Sequence, residues 1–310
     1  MMMESNILIS ACMITYAHEK YIKEAILGIL NQRTEHDVEL IIADDCSTVS
    51  TKEVVEELVQ NHENGDWIKY HRHYKNKGMI NNFLWALKQC SGKYIALCEG
   101  DDYWTDPLKL QKQVMYLENN TEFSMCCTNY SEVDATGSVL AYRGWNGNKT
   151  NPIIDHKTIL SDYKPKLLTS MIRAEYLPKQ YPKELLNIKN FDNVLFALIT
   201  ENGPAAFMDV VTGAYRIHGD GIWGEKSSIE QNLMQIDTFE EMKKVFLKKE
   251  QQKAINQRIN SVQRQLCMGY ATDGNLIKSY RLFFGVYSFN FKSMKSLIKM
   301  NMKYLVSIFK

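Results

Sequence analysis

GKYIALCEGDDYWTDPLKL, residues 92–110, is the segment around which the rest of the chain is organised. Its residues 93–98 form a short apolar run with a β-branched residue and a tyrosine, which predicts a β-strand. Asp106 and Pro107 predict the N-cap and the first residue of a helix, because proline has no N–H to leave unpaired there. A cluster of carboxylates separates the two. The stretch therefore predicts a strand, an acidic turn and a helix in that order.

The acidic turn contains Glu99, Asp101 and Asp102 beside Gly100. Open α/β sheets bind their ligands at the carboxyl ends of the strands, which is where this turn is expected to lie. Carboxylates so close together repel one another unless a positive charge lies among them. A hard divalent cation with oxygen ligands suits this cluster. The alternative is that the aspartates only shape the turn before the helix.

The chain before the acidic turn alternates between strands and helices. Apolar runs and helical periodicity predict strands at residues 7–15, 38–43 and 67–71 and helices that begin near residues 19, 50 and 79. Ser50 and Glu53 predict a capping box at the start of the second helix. This alternation predicts a parallel sheet with right-handed crossovers.

The chain after the acidic turn is less regular. It predicts strands at residues 123–128, 167–172 and 207–215, a loop at residues 134–151, and a helix at residues 191–199 with Asp192 in its first turn. From residue 228 the composition becomes rich in lysine, glutamate and glutamine. We therefore divide the chain into an α/β domain at residues 1–225 and a C-terminal helical appendage at residues 226–310.

Composition and charge argue against several classes of protein. With 310 residues, 45% of them hydrophobic, the chain can bury a sizeable core. The net charge is +1, but residues 275–310 contain seven basic and no acidic residues, so the remainder is mildly acidic. A mildly acidic body argues against nucleic acid as a partner. Seven cysteines without a CxxC pair are typical of reduced thiols in the cytoplasm.

Two segments bear on membrane association. The apolar run at residues 7–14 follows no basic residue and is too short to span a bilayer, so it predicts neither a signal peptide nor an anchor. Lysines 292, 295, 299 and 303 recur at helical spacing, which predicts a basic amphipathic helix at residues 292–310. Such a helix either lies on the anionic cytoplasmic face of the inner membrane or packs on the rest of the protein.

Five ordered motifs resemble those of the family 2 glycosyltransferases, which have the GT-A fold. They are Thr15-Tyr16, ADDCST at residues 43–48, Asn76-Lys77-Gly78, SGKYIALCEGDDYW at residues 91–104 and YRIHGDGIW at residues 215–223. They extend over residues 7–224 and look like the branch found in bacterial polysaccharide and lipopolysaccharide synthesis. The resemblance implies a mostly parallel Rossmann-like sheet flanked by helices. It also implies a nucleotide-sugar half at about residues 1–105 and an acceptor half at about 106–225.

The implied activity is the inverting transfer of a sugar from a nucleoside diphosphate sugar to an acceptor hydroxyl. A UDP-sugar is the expected donor, and a saccharide or lipid-linked saccharide is the expected acceptor. The residues that the resemblance assigns to donor binding are Thr15, Tyr16, Asp44, Asp45, Lys77, Gly78, Glu99 and Asp101.

The resemblance further implies a metal site and a general base. Glu99 to Asp102 falls on the family's DXD motif, so Asp101 and Asp102 would hold Mg²⁺ or Mn²⁺, with His218 as a further contact. Asp192 corresponds to the base that takes the proton of the acceptor. Three positions depart from the family's pattern: Ala17 replaces an asparagine, Glu99 an aspartate, and Phe191 a glutamate.

Other interpretations stay open at this point. Asp192 fits an ordinary first-turn aspartate, and His218 fits a hydrogen-bonded loop histidine. A sugar nucleotidyltransferase would share the sheet and the metal, although the sequence near the N-terminus lacks its glycine-rich phosphate loop. A non-catalytic, glycosyltransferase-like partner protein is the third interpretation.

Overall fold

The computed structural model describes residues 8–47, 50–144, 153–186, 188–219 and 226–286. The chain divides into two compact units. The first comprises residues 1–159, 163–181 and 195–218, and the second comprises residues 160–162, 182–194 and 219–310. The sequence-based boundary at residue 225 remains a prediction.

The first half of the first unit has the predicted alternation of strands and helices. Its elements are β1 (Leu8–Thr15), α1 (Ile22–Leu30), β2 (Asp37–Asp44), α2 (Thr51–Asn61), β3 (Ile68–Arg72), α3 (Met79–Gln89) and β4 (Tyr94–Glu99), with a 3₁₀ turn at Gly65–Trp67. The four strands lie in the order β3-β2-β1-β4 and all pair in parallel. The predicted parallel sheet is therefore confirmed.

Burial explains why these strands could be predicted from the sequence. All residues of β1 and of β2 except the first of each are buried, as expected when helices cover both faces of a parallel sheet. Ile22, Ile26 and Ile29 of α1 are 0% exposed and belong to the main hydrophobic core. The carboxyl ends of β1, β2 and β4 consequently meet at one edge of the sheet.

The second half of the first unit extends the sheet with strands of both directions. Its elements are β5 (Tyr103–Trp104), α4 (Lys109–Asn119), β6 (Met125–Val133), β7 (Val139–Arg143), β8 (Ile153–Ile154), α5 (His156–Ser161), β9 (Met171–Arg173), α6 (Phe191–Thr200) and β10 (Ala205–Arg216), with 3₁₀ turns at Leu167–Thr169 and Ala174–Tyr176. The end of α5 and the first turn of α6 are assigned to the second unit. Beyond β4 the sheet continues as β9-β6-β10-β5. β9 and β5 run antiparallel to their neighbours, whereas β10 is parallel to β6.

The second unit is helical, as the composition predicted. After a 3₁₀ turn at Lys183–Leu185 it contains α7 (Ser228–Val245), α8 (Lys249–Thr272) and α9 (Leu276–Val286). A small core joins Cys267 and Ala271 of α8 to Phe283 of α9. In the part of the chain that the structure describes, no helix combines the length and the apolar character needed to cross a membrane. The predicted helix at residues 292–310 lies outside the described residues.

The helix that follows the acidic turn begins later than predicted. Asp106 is not its N-cap, because α4 begins at Lys109. The Asp106 carboxylate instead accepts the N–H of Leu108 at 2.9 Å in a local turn. The cause is a tertiary contact: the backbone N–H groups of Thr105 and Asp106 donate to the Thr212 carbonyl at 3.0 and 3.4 Å, which keeps the chain on β10.

Two other local predictions are wrong. Ser50 precedes α2 but makes no capping hydrogen bond, and its backbone angles (φ −71°, ψ 23°) are not those of an extended N-cap. Residues 139–143, predicted as loop, form β7, which pairs antiparallel with β6. The pairing supplies an order that the weakly periodic sequence does not encode.

Gly28 allows α1 to pack directly on the backbone of β5. A Cβ at this position would lie 2.9 Å from both the backbone N and the backbone O of Trp104. Backbone atoms of a paired strand cannot move aside cheaply. We therefore expect Gly28→Ala to lower the free energy of unfolding by about 1–3 kcal/mol, although alanine is ordinarily favoured over glycine in a helix by about 1 kcal/mol.

Urea unfolding followed by circular dichroism measures this effect. Gly285→Ala is the matched control, since a Cβ on that helical glycine meets nothing within 4 Å. The control should leave stability unchanged or raise it slightly. Equal stability of the two variants would contradict the proposed packing of α1 on β5.

Candidate active site

Four segments of the first unit meet at the candidate site. They are the loop after β1, the loop after β2, the acidic turn itself and the end of β10. The first three follow parallel strands, so they lie at the edge of the sheet that the sequence predicted for a ligand. The fourth reaches the site because β10 lies beside β5, the strand that follows the turn.

Both carboxylate oxygens of Asp44 accept hydrogen bonds that hold the loop after β2. Its Oδ1 accepts the N–H of Ser47 at 2.8 Å and the Ser47 hydroxyl at 2.6 Å. Its Oδ2 accepts the Tyr70 hydroxyl at 2.6 Å, and the side chain is 0% exposed. Burial and the adjacent carboxylate raise the pKa of Tyr70, so the phenol stays a donor. Asp44 therefore shapes the site from beneath.

Asp45 connects three loops. Its N–H donates to the Thr15 carbonyl at 2.9 Å, and its Oδ1 accepts the N–H of Lys77 at 2.6 Å. Gly78, next to Lys77, has a φ of +82°, which a glycine adopts without strain. The structure thus brings the predicted donor-binding residues Thr15, Asp45, Lys77 and Gly78 together.

Two residues of these loops adopt the left-handed conformation without being glycine. Ala17 has a φ of 55° and Cys46 a φ of 67°. The Ser47 hydroxyl accepts the N–H of Ala17 at 3.1 Å, which ties the two loops to each other. Asparagine adopts this conformation more readily than alanine, so the geometry at position 17 would also suit the asparagine that the family resemblance implies there. Tyr16, just before it, is 47% exposed.

Asp101 lies between two histidines. Its Oδ2 is 3.1 Å from Nε2 of His218 and 3.6 Å from Nε2 of His18. Burial opposes the charge of Asp101, but the His218 hydrogen bond and the nearby His18 outweigh it and hold the pKa of Asp101 below its usual value. Burial lowers the pKa of His18, although Asp101 opposes this shift. Asp101 is therefore held ionised at the rim of the turn.

Asp102 is buried more deeply and is only half satisfied. It is 1% exposed, and its Oδ1 accepts the backbone N–H of Arg216 at 2.8 Å. Its Oδ2 has no hydrogen-bond partner among the described residues. Burial, together with the charges of Asp101 and Glu99, raises the pKa of Asp102 well above its usual value. A second, positive partner would remove this cost.

Arg216 fixes the acidic turn and was not singled out from the sequence. Its Nε donates to the Asp101 carbonyl at 3.0 Å, and Nη1 donates to the carbonyls of Asp134 and Ala135 at 3.4 and 3.2 Å. Its Nη2 pairs with Glu24 of α1. The side chain is 2% exposed. One guanidinium therefore joins the turn to α1 and to the hairpin between β6 and β7.

Unsatisfied polar atoms concentrate around the same turn. Of the nine buried side-chain atoms that lack a partner in the described part of the chain, five belong to the surrounding loops: Thr15 Oγ1, His18 Nδ1, Glu19 Oε2, Asp102 Oδ2 and His218 Nδ1. Buried polar groups are normally paired, so such a concentration indicates a place where a ligand completes the structure.

The donor set fits a divalent cation only with help from a ligand. Among the described residues, no three His, Cys, Asp or Glu side chains are arranged to hold a metal ion by themselves. The open carboxylate oxygen of Asp102 and the ionised Asp101 are nevertheless the oxygen donors that Mg²⁺ and Mn²⁺ prefer. A polyanionic ligand would supply the oxygens that the protein lacks.

The remaining predicted residues are placed as follows. Glu99 ends β4 and is half-buried. Asp192 lies in the first turn of α6 and belongs to the second unit, and its Oδ1 accepts the N–H of Asn193 at 2.9 Å. Its role as a base remains a prediction. Trp223, in the last motif, lies outside the described residues.

Sequence reasoning missed His18 and Arg216. Their main partners, Asp101 and Glu24, are far away in the sequence, so no local periodicity marks them. The available signal was their position: each follows or ends a strand of the predicted sheet, two positions from a residue already assigned to the site.

We expect Arg216→Lys to lower the free energy of unfolding by about 2–4 kcal/mol, because an ammonium cannot replace the planar fork and leaves buried carbonyl groups unpaired. Urea unfolding measures the loss. Glu24→Gln is the control, since Glu24 is 52% exposed and its ion pair should contribute less than about 1 kcal/mol. Similar losses in both variants would show that the ion pair, and not the fork, matters.

Comparison with known proteins shows which family the chain resembles. Residues 10–171, more than half of the chain, match the model of glycosyl transferase family 2. An uncharacterized protein of Mycobacterium bovis is 33% identical over 213 residues, and the match spans 68% of this chain and 59% of that protein.

Solved structures give the fold. The S. aureus TarS 1–349 complex with UDP has a TM-score of 0.60 at 18% identity and covers 97% of this chain and 90% of its own. The mannosyltransferase PcManGT of Pyrobaculum calidifontis, in complex with GDP-Man and Mn²⁺, has a TM-score of 0.63 at 12% identity, with coverages of 98% and 86%. These likenesses confirm the predicted GT-A fold. With the family match and the motifs at the carboxyl edge of the sheet, the chain belongs to glycosyl transferase family 2.

Proposed function

We propose that this protein transfers a sugar from a nucleoside diphosphate sugar to an acceptor hydroxyl, with inversion and with the help of Mg²⁺ or Mn²⁺. The observation that carries the proposal is the acidic turn, where Asp101 is held ionised and Asp102 keeps one buried oxygen unpaired. Such a turn, at the carboxyl edge of a GT-A sheet, suits a cation bridged to a diphosphate.

The loops after β1 and β2 are suited to the nucleoside end of the donor. Tyr16 is exposed enough to contact a base, and hydrogen bonds join the neighbouring Thr15 to Asp45 and Asp45 to Lys77. Asp44 supports this surface from beneath, because its oxygens already accept three hydrogen bonds. The TarS structure in complex with UDP supports a UDP-sugar as donor, although PcManGT binds GDP-Man.

Asp101, Asp102 and His218 would hold the cation together with the donor diphosphate. Bound there, the cation stabilises the negative charge that develops on the leaving diphosphate. Arg216 keeps the turn in place through the Asp101 carbonyl and through Asp102. The Mn²⁺ in the PcManGT complex supports the choice of a divalent cation.

Inversion requires one base and no covalent intermediate. The acceptor hydroxyl loses its proton as it attacks the anomeric carbon from the face opposite the diphosphate. We assign the role of the base that accepts this proton to Asp192, because the family resemblance implies it.

The acceptor that we propose is a lipid-linked saccharide in surface polysaccharide synthesis, at the cytoplasmic face of the membrane. The motifs resemble those of the polysaccharide and lipopolysaccharide branch of the family, and the sequence from residue 275 onward is basic. A basic surface would keep the enzyme near anionic lipids and their glycosylated relatives.

Asp101→Asn should reduce donor turnover by roughly 10²- to 10³-fold, the scale seen when a preorganised charge stabiliser is lost. The assay is hydrolysis of UDP-sugars with Mn²⁺ and with EDTA. Asp66→Asn, on an exposed aspartate outside the site, is the matched control. Activity of the Asp101 variant that is unchanged and insensitive to EDTA would rule out the metal assignment. Absence of any donor hydrolysis by the wild-type protein would favour the non-catalytic alternative.

Asp192→Asn should abolish transfer of the sugar to the acceptor while leaving donor binding nearly intact, because a base acts in the transition state and not on the nucleotide. Thermal shift with a panel of nucleotide sugars measures donor binding. Asp155→Asn is the matched control, since Asp155 precedes α5 and accepts the N–H of Thr158 at 2.8 Å, an ordinary helix-start role. If both variants keep sugar transfer and lose only stability, Asp192 stabilises the fold and is not the base.

A further inference from the structure

The outward side of α9 carries an unusual combination of residues. Ile277 is 79% exposed and Phe284 is 59% exposed, and both are large and apolar. Lys278 and Arg281 lie beside them and are also exposed. We call these four residues the α9 face. It is apolar and cationic at once and includes no carboxylate.

The orientation of α9 is fixed by its opposite side. Phe283 is 3% exposed and packs with Cys267 and Ala271 of α8. The Ser279 hydroxyl donates to the Cys267 carbonyl at 2.7 Å and is buried. Residues 277, 281 and 284 recur at the four- and three-residue spacings that place side chains on one side of a helix. The apolar residues of the face are therefore exposed although the helix is packed in place.

The charge of the surrounding sequence indicates what the face would contact. From residue 275 to residue 310 the sequence has seven basic and no acidic residues. A second copy of the same face would bring like charges together, which is unfavourable. An anionic lipid surface offers both partners that the face needs: phosphates for the cations and an apolar boundary for the side chains between them.

We propose that the α9 face docks on an anionic lipid bilayer. Ile277 and Phe284 enter the boundary between headgroups and acyl chains, and Lys278 and Arg281 pair with lipid phosphates. This inference deepens the proposed function, because docking brings the enzyme to a lipid-linked acceptor in two dimensions. The docking itself requires only lipid.

The test is sedimentation of the full chain with vesicles. One set contains phosphatidylglycerol and phosphatidylcholine, and the other contains phosphatidylcholine alone. We expect binding to the anionic vesicles at low salt and release at about 0.5 M NaCl, where the Debye length has fallen to roughly 4 Å. Binding to neutral vesicles should be weak.

Two variants test the face. The double variant Ile277→Glu/Phe284→Glu removes its apolar part, and Arg281→Glu reverses one charge. Each should weaken partitioning onto anionic vesicles by at least about tenfold. The matched control is Leu247→Glu, because Leu247 is 73% exposed, belongs to the same unit and also adjoins lysines. Circular dichroism checks that all variants keep their helices.

Three results would overturn the proposal. The first is failure of the wild-type protein to bind anionic vesicles at low salt. The second is wild-type binding by the face variants, which would place the contact elsewhere, for example in residues 287–310. The third is a dimer in light scattering that Ile277→Glu/Phe284→Glu dissociates, which would make a second copy the partner. Donor hydrolysis is measured in parallel, so vesicle binding without hydrolysis would contradict the proposed function and leave the docking proposal standing.

Discussion

The buried guanidinium of Arg216 is the interaction on which the geometry of the site depends. A charge at 2% exposure is tolerated only where its donors are paired, and Arg216 pairs with Asp101, Asp134, Ala135 and Glu24. These partners belong to the acidic turn, to a hairpin turn and to α1. Because the buried guanidinium must pair all of its donors, it fixes the relative positions of three segments that are far apart in the sequence.

The sequence predicted the parallel half of the sheet because that half is encoded locally. β1, β2 and β4 are buried along nearly their whole length, so each appears as a mainly apolar run, with Ser10 and Glu39 as buried polar exceptions. β5 has only two residues and was not predicted, and β9 has only three, so the strand predicted at residues 167–172 is wrong over Leu167–Thr169, which forms a 3₁₀ turn. Strands so short exist only through their partners β10, β4 and β6, and no periodicity develops over such lengths.

The sequence indicated which residue types gather at the candidate site, but not which contacts each of them makes. Asp44 and Asp45 are neighbours with the same side chain, yet Asp44 is used up by Ser47 and Tyr70, whereas Asp45 reaches the backbone of Lys77. Tyr70 lies on β3, so only the folded sheet decides which aspartate accepts its hydroxyl. His18 was missed for the same reason, since its significance lies in its distance from Asp101.

The contact between Asp45 and Lys77 has a consequence for divergence. Asp45 accepts from the main chain of Lys77, and main-chain donors are the same for every residue except proline. The two loops are therefore held together whatever side chain position 77 carries. Selection is free to exchange that side chain for any residue except proline without loosening the contact between the two loops, so position 77 can diverge while the scaffold stays the same.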